Sequence, residues 1–196
     1  GVLDVPFAPC RFNAGQMLPC RDNDGAVRIM NMGNLPFTKE LRDYHMGKFA
    51  ERAAFEHRAV WFALLIDEAR KRGLDMSFAR DAIMRCGCFH AHTKYPNGNE
   101  IKPFAEAFLN DNVVKIFEME PTCVDEHEMK VNFHYCPLVA AWQKLGFSEA
   151  DIATFCDIAM DGDRGIVKEF PEFEFELGKT IAKGDSICEV TVRKKE

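Results

Sequence analysis

From Thr38 onward, apolar residues recur at spacings of three and four. Leu41, Tyr44, Phe49, Ala53, Val60, Trp61, Leu64 and Leu65 form one stripe, and Glu51, Arg52, Glu56, Arg58, Asp67 and Arg70 fill most of the other face. The pattern predicts one long amphipathic helix ending near Gly73, a suitable closing residue after Lys71 and Arg72. A second helix is expected from Ser77 to about Cys88, a turn at Pro96-Asn97-Gly98-Asn99, and a short helix over 103–109.

The period then changes. Segments 113–120 and 129–135 are β-rich and flank a polar stretch, 121–128, so they read as an antiparallel pair with a long connection. Residues 137–145 are helical and closed by Gly146, and Ser148-Glu149-Ala150-Asp151 resembles a capping box opening a helix to about Met160. Phe173, Phe175 and Leu177 alternate with Glu172, Glu174 and Glu176, and 187–192 reads as a last strand. Residues 1–37 lack periodicity and are rich in Pro, Gly and Asn, which predicts an irregular arm with one short strand at 26–30. The expectation is an α+β fold: an arm over 1–37 and one domain over 38–196, with an antiparallel sheet packed against several helices.

Composition narrows the function. Of 196 residues 47% are apolar, with 17 Phe, enough for an aromatic-rich core, and the formal charge is −6. The only basic run, Val-Arg-Lys-Lys-Glu at 192–196, is short and terminal, which argues against nucleic acid as the main partner. The longest apolar stretch, 59–66, is far from the ~20 residues of a membrane span. Without an export signal, the 8 cysteines read as reduced thiols in a cytoplasm.

Four clusters carry candidate chemistry. In His134-Tyr135-Cys136-Pro137, proline at the first helical position makes Cys136 the N-cap, where free amides and the helix dipole favour the thiolate. His134, two residues earlier along a strand, would share its face and move a proton. Asp157 and Asp161 lie one helical turn apart beside Cys156 and Asp163; they suit a cationic amidine, a divalent ion or acid–base work, or else a solvated turn balanced by Arg164. In Thr180-Ile-Ala-Lys-Gly184-Asp185-Ser-Ile-Cys188, Gly-Asp signals a turn, making Asp185 structural. Cys86-Gly-Cys88-Phe-His90-Ala-His92 is the densest set of metal-ligand types, though not at a zinc-finger spacing.

The order Cys136-Pro, then Cys156-x₄-Asp161, then Thr180-Ile-x-x-Gly184-Asp185-x-x-Cys188 resembles the C-terminal half of the L-2-amino-thiazoline-4-carboxylic acid hydrolase family. The resemblance runs over about 130–194. It implies hydrolysis of a C–N bond in a small cyclic amidine on the way to a carbamoyl cysteine, and carries over Cys136, Cys156, Asp161, Asp185 and Cys188 as motif positions, with Thr180 beside them. The cysteine spacing is also distantly similar to vinyl-reductase-type small-molecule-binding domains.

These readings combine into a hydrolase in which the Cys136 thiolate attacks the ring carbon, His134 shuttles the proton and Asp161 serves catalysis. Cys156, Asp157, Asp163, Thr180, Asp185 and Cys188 would bind the substrate. A variant has His134, Cys136, Cys156 and Cys188 holding a metal that activates water, so the cofactor stays open between none and a divalent metal. The alternative is a non-catalytic sensor of small molecules or metal built on the same cysteines. The partner is a small-molecule substrate, not nucleic acid or membrane, and the long helix offers a face for homo-oligomers.

Overall fold

The computed structural model describes residues 19–21, 27–29 and 39–195, with side chains from residue 50. The chain divides into two compact units, Gly1–Asp43 and Tyr44–Glu196. In the first, β1 (Pro19–Arg21) pairs antiparallel with β2 (Val27–Ile29), Cys20 opposite Arg28. The rest of the expected arm lies outside the described residues.

The long helix α1 spans Lys39–Lys71 and α2 spans Ser77–Lys94, well beyond the expected end near Cys88. Then follow α3 (Ile101–Phe108) and α4 (Asp111–Phe117). Helix α4 occupies most of the segment expected as a strand over 113–120. Its N-cap Asn110 accepts a hydrogen bond from the Val113 amide at 3.2 Å, and Glu118, at φ 51°, closes it in the left-handed region. The local cap outweighs the weak β preference of Val113 and Val114. Strand β3 (Met119–Val124) begins immediately after and is followed by β4 (Glu128–Phe133). The expected long connection shrinks to a turn held by Asp125, whose Oδ1 accepts from the His127 and Glu128 amides at 2.7 and 2.9 Å. Next come α5 (Pro137–Lys144), α6 (Glu149–Ala159), α7 (Asp161–Lys168), β5 (Phe173–Leu177), a 3₁₀ turn (Ile181–Lys183) and β6 (Cys188–Lys194).

Strand order in the antiparallel sheet is β3-β4-β6-β5. The fold is α+β, as the patterning implies. One face of the sheet buries Met119, Met129, Val131, Val190 and Val192 against Phe104, Phe108, Ile166 and Phe170. A second core joins α1, α5, α6 and the 3₁₀ turn through Ala63, Ile66, Val139, Trp142, Phe155 and Ala182. Trp142 settles its indole N–H on the Ala59 carbonyl at 2.9 Å. Trp61, Leu64 and Leu65 of α1 remain exposed.

Helices α2 and α7 cross at glycines. A Cβ on Gly87 would stand 2.0 Å from the Gly162 carbonyl oxygen, and one on Gly165 would stand 2.3 Å from that of Met84. Backbone therefore meets backbone, and this close approach sets the α2 side chains against those of α7.

Candidate functional site

Cys136 is the N-cap of α5, with Pro137 at the first helical position, as its sequence context predicts. The Val139 and Leu138 amides favour the thiolate, though no side-chain cap hydrogen bond forms, and the acidity of Cys136 runs opposite to expectation. Burial outweighs those amides and pushes the thiol up to about 12. The side chain packs on the apolar cluster of α1, α5 and α6, where an eight-residue helix offers too little field to offset lost hydration.

Two further cysteines converge on it from separate elements. Cys156, on the buried face of α6, is raised to about 12, first by burial and then by the charges that Cys136 and Cys188 would carry. Cys188 opens β6, where its sulfur accepts the Ile181 amide at 3.2 Å; burial raises it too. The charge of Cys188 would act on Cys136, and the charges of both on Cys156, so the three thiols neighbour one another, Cys156 buried and the other two half-buried. All six described cysteines are free.

His134 is engaged by a carboxylate across the strand pair. Its Nε2 pairs with Glu120 Oε2 at 2.9 Å, with the ring 44% exposed. The paired aspartates are held in a closed lattice. Arg80 bonds Asp157 at 2.5 Å and Asp161 at 2.9 Å, and Arg164 bonds the same two at 2.8 and 2.6 Å. The Asp161 carboxylate is 7% exposed and spends both oxygens on guanidinium groups, and Asp157 sits well below the usual carboxylate range because Arg80 and Arg164 outweigh its burial. Asp163 behaves differently. Its carboxylate meets its own backbone N–H, with Arg164 and Arg58 acting at longer range, and burial raises it to about 6. Burial lowers Arg58, against the charges of Cys86, Asp163 and Cys136.

In the Thr180–Cys188 segment, Asp185 Oδ2 accepts the Thr180 amide at 2.9 Å and Gly184 takes φ 93°. Asp185 thus fixes the turn. Thr180 is 2% exposed, and its hydroxyl has no hydrogen-bond partner.

The Cys86–His92 run lies wholly on α2, so successive candidates fall on alternate faces. Cys88 and His92 both turn to Glu169, the latter at 3.0 Å, while His90 stacks near Phe89. Among the described residues, no three His, Cys, Asp or Glu side chains are placed to hold a metal ion. A cleft of about 340 Å³ opens beside the thiols, between α6 and the 3₁₀ turn, lined in part by Ile152, Ile181 and Lys183. Sequence reasoning passed over Arg80, Arg58, Lys183 and the glycine crossing; only the Gly162-x-x-Gly165 spacing hinted at the last of these. No described helix is long and apolar enough to cross a membrane.

Comparison with known proteins divides the chain. Residues 52–192 match the family described as L-2-amino-thiazoline-4-carboxylic acid hydrolase, and residues 1–74 match methylaspartate mutase E chain. The glutamate mutase epsilon subunit of Treponema denticola is 50% identical over 68 residues, 35% of this chain and 14% of that protein. The same subunit from Desulfitobacterium hafniense is 45% identical over 80 residues, 41% of this chain and 16% of that one. The chain thus spans about a seventh of the length of the curated relatives it matches. Among solved structures, a trafficking protein particle complex subunit 3 from Naegleria fowleri, covalently bound to palmitic acid, aligns with TM-score 0.48 and 19% identity, covering 72% of this chain and 95% of that one.

Proposed function

Because the chain belongs to the L-2-amino-thiazoline-4-carboxylic acid hydrolase family, we propose that it hydrolyses a C–N bond in a small cyclic amidine of the thiazoline type, with the Cys136 sulfur as the attacking group. What supports this reading is that a helix cap, a helix face and a strand end bring Cys136, Cys156 and Cys188 near enough for their charges to act on one another.

A thiol raised to about 12 is protonated at neutral pH, so it brings its own proton. A neutral amidine bound against it takes that proton on its ring nitrogen, leaving a thiolate beside a cationic carbon. The sulfur adds to that carbon, the ring C–N bond breaks, and its electron pair stays with the departing amine. Water then adds to the sulfur-bound carbon and expels the Cys136 thiol, leaving a carbamoyl thioester of the opened substrate. Asp163, raised to about 6, is suited to take and return the water's proton. Asp161 and Asp157 hold α6, α7 and α2 together, and His134 takes no part.

The test is turnover of L-2-amino-thiazoline-4-carboxylate by the purified protein, read as ring-opened product. Cys136→Ser should lower the rate by about 10³-fold or more, and Cys86→Ser, on the exposed side of α2, should leave it unchanged. Loss of rate in neither variant contradicts the role of Cys136. The uniformly raised thiols also favour a second reading, a binding module, and saturable binding without turnover would select it.

A further inference from the structure

The cleft beside the thiols has a chemistry of its own. Apolar Ile152, Ala153, Ile181 and Ala182 form its walls, with Glu149 and Lys183 at opposite sides. Lys183 is exposed and makes no ion pair among the described residues, nor does Glu149. The same elements position the thiols: Ile152 precedes Cys156 by one turn of α6, the Ile181 amide binds the Cys188 sulfur, and the Lys183 charge reaches Cys156. Residues 181–184 of this turn line the cleft beside α6, so the cleft adjoins the segment that holds the Cys188 sulfur.

We propose that this cleft is the subsite for the anionic end of the substrate, with Lys183 as the residue that selects a carboxylate. This rests on the hydrolase reading and adds a specificity element to it. Lys183 pairs with the carboxylate, and Glu149 on the other wall repels it, so the acid is held toward the turn.

The experiment compares L-2-amino-thiazoline-4-carboxylate with 2-amino-2-thiazoline, which lacks the carboxylate. Both kcat/KM and equilibrium binding are measured. Lys183→Glu should cut the preference for the acid by at least about tenfold, through KM, and Lys183→Arg should retain it. An unchanged preference in Lys183→Glu overturns the subsite, even if hydrolysis is confirmed. Binding of the acid that weakens in Lys183→Glu without turnover in any variant supports the subsite and overturns the hydrolase reading. Binding of neither compound overturns both.

Discussion

Cys156 and Asp157 are neighbours on α6 yet belong to clusters built in opposite ways. Asp157 joins Asp161, Arg80 and Arg164 in a lattice where each carboxylate meets two guanidinium groups. Cys156 joins Cys136 and Cys188 in a cluster where burial is the largest influence on every thiol and neighbouring charges such as Asp157, Asp185, Arg58 and Lys183 act less strongly. In the first, charge is fully compensated and nothing remains to act on a substrate. In the second, polar groups are desolvated without compensation, and chemistry concentrates where such groups are left over. Asp163 lies in the same helix as Asp161, but burial raises its carboxyl to about 6.

That contrast is open to attack by substitution. Gly87→Ala strikes the α2–α7 crossing that brings Arg80 to the aspartates. Because the new Cβ meets backbone, the helices must separate, and the expected loss is about 3 kcal/mol or more, read by denaturant unfolding. Asp161→Ala leaves two guanidinium groups short of a partner and should cost about 3 kcal/mol. Its turnover per folded molecule should be retained; loss of turnover with stability intact would move Asp161 into the reaction.

Asp163→Asn gives the smallest effect, and one that depends on pH. Burial makes the charged form of Asp163 unfavourable in the folded state, so the protein loses stability as pH rises from near 4 to about 6 and is level above that. The asparagine variant lacks this loss. Its Tm relative to the native protein should therefore rise between pH 4 and 6 and stay constant from 6 to 8. A difference that does not vary with pH would show that Asp163 ionises like an exposed carboxylate.

Much of this was legible along the chain. The helical spacing did mark α1, though its buried face is Ala59, Ala63, Ile66 and Ala69 while Trp61, Leu64 and Leu65 of the predicted stripe are exposed. Ser148 caps α6 by accepting the Asp151 amide at 3.2 Å, and Cys136-Pro137 did mark a helix cap. Asp185 proved to be the turn residue that Gly-Asp implied. The misses have physical causes. Val113 and Val114 read as strand because propensity ignores the Asn110 cap, and α2 continues past Cys88 because Gly87 is needed there for packing rather than as a stop. Cys136 was placed correctly but given the wrong acidity: a cap position can be seen in sequence, whereas burial beneath α1 cannot. The partners of Asp157 and Asp161 were half visible, since Arg164 is local and Arg80 lies some eighty positions away.

The most direct test of the account is to trap the sulfur–substrate bond. Purified protein is mixed with L-2-amino-thiazoline-4-carboxylate, quenched in acid during turnover, and the cysteine peptides are mapped by mass. The account predicts an adduct on the Cys136 peptide that is absent in Cys136→Ser. An adduct on another cysteine, or full turnover by Cys136→Ser, would contradict it.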